Sequence, residues 1–240
     1  MSVAIVTGAS RGLGAAVAAA LARDGWSVVI DARGEAALEA ARNEAMTGAA
    51  PGATVVAVAG DITDPAHRRA LVDEAGRLGG LDLLVNNASR LGPSPQPSLT
   101  AYPPDELRAV FETNVLAPTA LIQVASLLLR ASPNPQVVNV TSDASVEAYN
   151  GWGGYGASKA ALDHISAVLA VEKPGFRVWA VDPGDMRTQM HQEAFPGEDI
   201  SDRPPPESVI PGLMSLLDGD RPSGRYRLAD ITPADAEAIR

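Results

Sequence analysis

The chain has 240 residues, of which 46% are hydrophobic and 20% charged, a composition that predicts a folded soluble protein and excludes a disordered one. Its net charge of -10 and its sequence pI near 4.7 argue against nucleic acid or an anionic membrane as a partner, although a local basic patch can still bind a phosphate group. The absence of cysteine excludes disulfides, thiolate catalysis and thiolate metal sites.

Short strand-like runs alternate along the chain with alanine-rich helical patterns. The predicted strands are 3–7, 27–31, 54–58, 81–86, 136–140, 177–181 and 224–228. The predicted helices are 12–23, 35–46, 65–78, 105–131 and 155–171. Because the strands are continuous apolar runs, we expect helices on both faces of a parallel sheet. The alternation predicts a doubly wound α/β fold of about seven strands, in one domain spanning residues 1–240.

The N-terminal stretch MSVAIVTGAS has neither the basic start nor the long apolar core of a signal peptide. The longest apolar run, AAVAAALA from Ala15, is too short to span a bilayer. We therefore expect a cytoplasmic protein without a membrane partner.

A glycine-rich turn, TGASRGLG, follows the first predicted strand and opens the first predicted helix. Gly8, Gly12 and Gly14 lie in this turn, where glycine allows the backbone to approach a pyrophosphate. The helix N-terminus supplies free N–H groups and a partial positive charge. The spacing is G-x3-G-x-G, so the turn predicts a phosphate site of a different type from the G-x-G-x-x-G turn.

Tyr155 and Lys159 lie four residues apart in GGYGASKAAL, and this spacing puts both on one face of a helix. Such a pair is common by chance and does not by itself indicate catalysis. Ser142 follows the strand 136–140 and precedes Tyr155 by thirteen residues. The end of this strand and the start of the helix can therefore bring a hydroxyl, a phenol and an ammonium group together.

Several motifs occur together in a fixed order along nearly the whole chain: the glycine turn, NNA at 86–88, Asn114, Ser142, YxxxK at 155–159, and Pro183-Gly184. Their combination resembles the short-chain dehydrogenase/reductase family. The resemblance implies a Rossmann fold and an oxidoreductase that interconverts a small-molecule carbonyl compound and its alcohol. It also implies a homo-oligomer, either a dimer or a tetramer.

The resemblance implies roles for the chemical groups. Tyr155 is the general acid for reduction and the base in the reverse direction, and Lys159 is expected to lower its pKa, which is near 10 for free tyrosine. Lys159 also holds the nicotinamide ribose, and Ser142 donates a hydrogen bond to the substrate oxygen. The main chain of Asn114 holds a water in similar enzymes. Since Pro118 has no N–H to donate to the Asn114 carbonyl, a water can take that place; a merely tolerated kink is the alternative.

The resemblance implies cofactor contacts along the same edge of the sheet. Asp61 and Ile62 would bind the adenine, although Asp61 can equally be a turn residue or a helix cap. Pro183 and Gly184 would shape the nicotinamide pocket, and Thr188 would contact the carboxamide or the diphosphate. The full predicted set is Gly8, Ser10, Arg11, Gly12, Leu13, Gly14, Arg33, Asp61, Ile62, Asn87, Ala88, Tyr155, Lys159, Pro183, Gly184 and Thr188.

The choice of cofactor depends on the end of the second strand, VVIDAR. An acidic residue at the family position there binds the ribose 2′-hydroxyl of NAD and repels the 2′-phosphate of NADP. That position is Ala32 and is followed by Arg33, and Arg11 supplies a second cation. This pattern favours NADP(H). A shift of one residue would make Asp31 the ribose ligand and favour NAD(H), which stays the alternative.

Two proline-rich and glycine-rich segments interrupt the alternation, at 90–104 and 188–207. Both follow strands that should end at the ligand edge, and we interpret 188–207 as a substrate lid, with plain disorder as the alternative. Ser89 and Asp185 depart from the residues usual in the family. The residues that can line the substrate pocket are Asp143, Tyr149, Trp152, Met186, Met190 and His191.

The three histidines are widely spaced and predict no metal site. We expect His67 on a helix surface, His164 within the helix of Tyr155 and His191 in a mobile loop. A serine hydrolase is a poor alternative because neither a histidine partner nor a GxSxG turn accompanies Ser142. A catalytically silent dinucleotide sensor and an NAD-dependent alcohol dehydrogenase stay open, whereas the short C-terminal region leaves little room for the sugar-binding part of an epimerase or dehydratase.

Overall fold

The computed structural model describes residues 1–231, so the last nine residues of the predicted domain lie outside the described part. A parallel sheet of seven strands runs through the molecule in the order β3-β2-β1-β4-β5-β6-β7. The strands are β1 Val3–Val6, β2 Ser27–Ala32, β3 Val55–Ala59, β4 Leu83–Asn86, β5 Gln136–Val140, β6 Arg177–Asp182 and β7 Gly224–Arg227. The predicted doubly wound α/β fold is confirmed, and the strand ends differ from the prediction by two residues at most.

Helices cover both faces of this sheet. Their bounds are α1 Gly12–Arg23, α2 Glu35–Thr47, α3 Pro65–Arg77, α4 Pro104–Phe111, α5 Ala117–Ala131, α6 Gly153–Glu172, α7 Gln189–Ala194 and α8 Ile210–Asp218. Alternate residues of each strand enter opposite cores: Ala4 and Val6 pack with α1 and α8, whereas Val3 and Ile5 pack with α3 and α5. This two-sided burial is the reason the interior strands are largely apolar, whereas the edge strand β7, GRYR, is mostly exposed.

The predicted helix over 105–131 is present and runs from Pro104 to Ala131, but it is not α-helical throughout. A π-helical turn, Glu112–Leu116, separates α4 from α5, and the N–H of Ala117 donates to the carbonyl of Glu112, five residues earlier. Pro118 lies in the first turn of α5, where its missing N–H costs least. By length and composition alone Pro104–Ala131 could cross a membrane, but core helices of soluble proteins satisfy the same test.

The sequence prediction missed two helices. α7 lies inside the segment 188–207, and α8 follows it. Pro211 and Gly212 weaken the sequence signal for α8. In the structure Pro211 occupies the first turn, and Gly212 packs against the main chain that follows β7. A Cβ on Gly212 would lie 2.5 Å from the carbonyl oxygen of Leu228. Here tertiary packing requires the residue that lowers the local helix propensity.

Strand order reverses between β1 and β4, which are hydrogen-bonded neighbours. The loops that follow these two strands leave the same edge of the sheet in opposite directions and open a crevice between them. In open α/β sheets, ligands bind at this switch point. The fold therefore brings the glycine turn after β1 beside the segment Asn87-Ala88 after β4.

Candidate active site

The glycine turn between β1 and α1 has the conformation that its sequence demands. Gly8 and Gly12 have φ values of 66° and 60°, in the left-handed region that favours glycine. Gly14 has no room for a side chain, because a Cβ would lie 2.5 Å from both the Gly8 carbonyl oxygen and Asn87 Nδ2. Gly14 therefore lies beneath the turn and allows it to close tightly onto the loop after β4.

The loop after β4 holds the glycine turn in place. Asn87 Nδ2 donates to the carbonyls of Thr7 at 2.8 Å and Gly8 at 3.1 Å. The backbone N–H groups of Asn87 and Ala88 both donate to Thr7 Oγ1 at 3.0 Å. The asparagine thus uses its side chain to fix the glycine turn.

Asp31 supports the same turn from the other side. Its Oδ1 accepts from the Gly8 N–H at 2.7 Å and its Oδ2 lies 3.0 Å from His67 Nε2. The expectation that His67 lies on a helix surface is wrong, since both side chains are buried. A Cβ on Gly60 would overlap the His67 ring, so this glycine admits the imidazole. Asp31 is therefore fully engaged inside the protein.

A cleft of about 1590 Å³ runs along the carboxyl edge of the sheet from the glycine turn to α7. Its lining includes all the predicted catalytic, cofactor and substrate-pocket residues except Gly14, Asn114 and Tyr149. Within residues 1–231, no group of three or more histidine, aspartate or glutamate side chains is arranged to hold a metal ion. The cleft exceeds an ordinary small-molecule site and suits an elongated ligand together with a second compound.

The end of the cleft beside β2 carries positive charge. Arg33 is exposed next to Ala32, and Arg11 precedes α1 and pairs with Gln189. Asp61 is a turn residue: its Oδ1 accepts from the N–H and hydroxyl of Thr63, and these bonds, with Arg33, lower the pKa of its carboxyl. The cap of α3 is Asp64, not Asp61.

Tyr155 lies in the first turn of α6 and is buried at the cleft. Its ring meets Trp152 edge-on, with centroids 5.7 Å apart, and packs with Leu91. Burial raises the pKa of the phenol, the nearby carboxylates Asp182 and Asp143 raise it further, and a hydrogen bond with Ser89 lowers it. The phenol is therefore protonated at neutral pH.

Lys159 lies one turn along α6 and is also buried. Its Nζ donates to the Val140 carbonyl at 2.7 Å and lies 5.5 Å from the centroid of the Tyr155 ring. Burial lowers the pKa of Lys159 to about 8, and Asp163 opposes this shift. The net direction for Tyr155 is opposite to the expected lowering of its pKa, since burial is the largest influence on both groups.

Ser142 ends the extended segment after β5 and faces the cleft. Its hydroxyl donates to Asp143 Oδ1 at 2.9 Å, and its oxygen accepts from the Ala144 N–H at 3.2 Å. Tyr149 donates to the other oxygen of Asp143 at 3.0 Å. The hydroxyl is thus oriented by a carboxylate at the mouth of the pocket.

Asn114 lies in the π-helical turn and contacts α6 from behind. Its Nδ2 donates to the Arg90 carbonyl and to Ser158 Oγ, each at 2.9 Å. Its Oδ1 accepts from the Arg90 N–H at 2.8 Å and from Ser89 Oγ at 3.2 Å. Asn114 therefore ties the loop after β4 to the helix that carries Tyr155.

The segment after β6 closes the cleft. Gly184 has a φ of 71° and donates its N–H to Asp182 Oδ1 at 2.9 Å. Thr188 begins α7, and its hydroxyl oxygen accepts from the His191 N–H at 3.2 Å. His191 therefore lies in a helix and not in a mobile loop. Asp182 also pairs with Arg225 of β7, a residue that no local motif indicates.

Comparison with known proteins identifies the family. The family model described as "short chain dehydrogenase" matches residues 2–199. The sepiapterin reductase of Meriones unguiculatus is 35% identical over 206 residues, covering 80% of this chain and 77% of that protein. The benzil reductase ((S)-benzoin forming) of Saccharomyces cerevisiae is 37% identical over 199 residues, covering 80% and 74%.

The fold agrees with these relatives. A short-chain dehydrogenase structure from Shigella flexneri 2a, complexed with NADP, superposes with a TM-score of 0.86 at 27% identity, covering 95% of this chain and 97% of that one. The chain therefore belongs to the short-chain dehydrogenase/reductase family of oxidoreductases.

Proposed function

We propose that this protein is an NADP(H)-dependent reductase of small-molecule carbonyl compounds, with the reverse alcohol oxidation at the same site. The main support for the proposal is that Ser142, Tyr155 and Lys159 line the same cleft as the glycine turn. The relatives named as sepiapterin reductase and benzil reductase favour the direction of reduction.

The residues of the cleft fit a nicotinamide dinucleotide. The glycine turn leaves the start of α1 open to a diphosphate, because a Cβ on Gly12 would approach only the Thr188 side chain, whose methyl carbon would lie 3.6 Å away. Lys159 would hold the nicotinamide ribose, while Asp61 and Ile62 would flank the adenine. When bound, NADP(H) supplies the hydride for reduction or accepts it in oxidation.

Tyr155 holds the proton that the substrate oxygen receives. Its raised pKa keeps the phenol protonated, so the proton is present when the substrate binds. With a pKa of about 8, Lys159 is charged at neutral pH, and its ammonium group favours the phenolate left behind. In oxidation the same pair works in reverse, with the charged lysine favouring loss of the phenol proton.

Ser142 stabilises the substrate oxygen as negative charge grows on it. The hydroxyl now donates to Asp143, so it must turn toward the substrate oxygen to donate there. Asp143 then serves to hold the hydroxyl ready at the cleft. The neighbouring wall of Leu91, Trp152 and Met190 is apolar, which favours a carbonyl carried on an apolar or aromatic group.

The preference for NADP(H) over NAD(H) follows from Asp31. Both of its carboxylate oxygens are bonded inside the protein, and the side chain is buried. It is therefore unsuited to accept the ribose hydroxyls of NAD, which was the alternative. The neighbouring Arg33 is exposed at the cleft, and together with Arg11 it would attract a 2′-phosphate.

Thermal unfolding with each of the four cofactors at equal concentration tests this preference. A ligand at a hundredfold excess over its dissociation constant adds about 2.7 kcal/mol, so NADPH and NADP should raise the Tm by several degrees and NADH and NAD much less. Arg33→Ser should remove most of this difference. Arg108→Ser, at an exposed site on α4 outside the cleft, is the matched control. A greater shift with NADH would contradict the assignment, and no shift with any of the four would contradict the proposed site.

The segment 188–207 is proposed as the substrate lid. It contains α7, whose residues line the cleft, and it is tied to the rest of the edge by Ser94, which donates to the Glu193 carbonyl at 2.6 Å. His191 and Phe195 pack with ring centroids 4.9 Å apart, and Phe195 meets Trp152 at 5.9 Å. This aromatic contact joins the lid to the wall beside Tyr155.

We also propose a homo-oligomer formed through α5 and α6. These helices and the turn before α5 expose apolar side chains that a monomer leaves in water: Leu116, Val124, Leu127, Val168 and Val171. Leu127→Glu should reduce the mass measured by analytical ultracentrifugation to that of a monomer of 24.8 kDa. Leu99→Glu, at an exposed leucine outside these helices, should leave the mass unchanged. A monomeric wild-type protein would contradict the proposal.

A further inference from the structure

Arg225 of β7 reaches the segment of Ser142, the helix that carries Tyr155 and Lys159, and the end of β6. Its Nη2 donates to the Ser142 carbonyl at 3.0 Å and lies 3.3 Å from Asp182 Oδ2. Its Nε donates to Asp163 Oδ2 at 3.1 Å, and Nη2 lies 3.5 Å from Ser145 Oγ. One guanidinium thus joins the end of β5, the helix α6 and the end of β6.

We propose that Arg225 is a positioning residue, which fixes the main chain of Ser142 and balances the two carboxylates behind Tyr155 and Lys159. The inference rests on the proposed function of these groups. It adds a residue from the C-terminal strand to the catalytic arrangement, 83 residues away from Ser142 in the chain.

Both carboxylates that Arg225 contacts act on the catalytic pair. Asp163 lies one turn beyond Lys159 on α6 and also accepts a hydrogen bond from Ser145 Oγ at 2.5 Å. Its negative charge raises the pKa of Lys159. Its Oδ1 is buried and has no hydrogen-bond partner among residues 1–231. Asp182 is buried, and its negative charge raises the pKa of Tyr155, as does that of Asp143. Two carboxylates so placed need a cation that stays charged.

Arginine suits this position better than lysine. Its planar fork can donate to a carbonyl and to two carboxylates at once, whereas an ammonium group is a point charge with no fixed plane. Removing the guanidinium would leave both carboxylates uncompensated, and negative charge favours the protonated forms of Tyr155 and Lys159 alike. The pKa of each group would therefore rise.

Lysine NMR tests this consequence without any substrate. The chain has only two lysines, Lys159 and Lys173, so 13Cε labelling gives one signal at the site and one internal reference. In Arg225→Gln the titration midpoint of Lys159 should rise by about half a pH unit or more, with Lys173 unchanged. Adding Asp163→Asn should return it toward the wild-type value. Arg227→Gln, with the same charge loss two residues along β7, is the control.

Kinetic measurements separate the two parts of the proposed role, which are fixing the main chain of Ser142 and balancing the two carboxylates. In Arg225→Gln, kcat should fall by about tenfold or more, with the dissociation constant for NADPH unchanged, and the acidic limb of alcohol oxidation should move to higher pH. Arg225→Lys keeps the charge without the fork. It should restore the pH profile but not kcat.

The proposal is overturned if Arg225→Gln matches Arg227→Gln in kcat, pH profile and Lys159 midpoint. If Arg225→Gln fails to fold, Arg225→Lys decides: an unchanged kcat overturns the positioning role. A wild-type protein that reduces no carbonyl compound would refute the proposed function, while the lysine titration would still decide whether Arg225 balances the charge.

Discussion

Replacing Tyr155 with phenylalanine should lower kcat for carbonyl reduction by about 10² to 10⁴-fold, the usual contribution of a positioned general acid. The ring keeps its packing against Trp152, but it no longer has the proton that the structure holds on the phenol. NADPH should still raise the Tm as in the wild type, because the glycine turn and Lys159 are unchanged. Steady-state kinetics and thermal unfolding on the same preparation measure both effects.

Tyr226→Phe is the matched control, since it removes a hydroxyl on β7 that donates to the carbonyl of Pro222, just before that strand. It should leave kcat within about twofold, as a surface change of this kind alters stability little. A Tyr155→Phe enzyme with normal kcat would refute the catalytic assignment. If this variant bound the cofactor normally but lost the protein's effect in cells, a purely sensing protein would be untenable.

The fold was predictable because its strands are buried on both faces, which leaves continuous apolar runs that a local pattern detects. The helix α8 was not, since Pro211 and Gly212 weaken its local signal and only the close approach of Leu228 explains the glycine. The π-helical turn inside 105–131 was also not predicted, because it is a single turn within a helix that continues on both sides of it.

The candidate site was predictable where its residues lie within one motif, as Tyr155 and Lys159 do. It was not predictable where the partners meet only through the fold. Asp31 and His67 are 36 residues apart, and each alone resembles an ordinary strand end or helix surface residue. The raised pKa of Tyr155 also depends on its burial, which no spacing in the sequence reveals.

Gly14→Ala should lower the free energy of unfolding by about 1 to 3 kcal/mol, the cost of overpacking a filled site. In an exposed helix the same change favours the helix by about 1 kcal/mol, so the sign distinguishes packing from propensity. A Cβ at this position would meet the Gly8 carbonyl and Asn87 Nδ2 at 2.5 Å and Ala9 Cα at 2.9 Å, and two of these atoms are main chain. They can yield only if the turn opens.

Opening the turn has a second consequence, because the same turn would receive the diphosphate. The Tm increase caused by NADPH should therefore shrink together with the Tm itself in Gly14→Ala. Gly175→Ala, at a loop position with nothing within 4 Å of its Cβ and no positive φ, is the control and should keep both. A Gly14→Ala protein with wild-type Tm and full NADPH stabilisation would show that the turn does not close onto Asn87. If the Tm fell but NADPH still raised it by the wild-type amount, Gly14 would serve packing alone. The phosphate site would then depend on Gly8 and Gly12, whose φ values no other residue adopts readily.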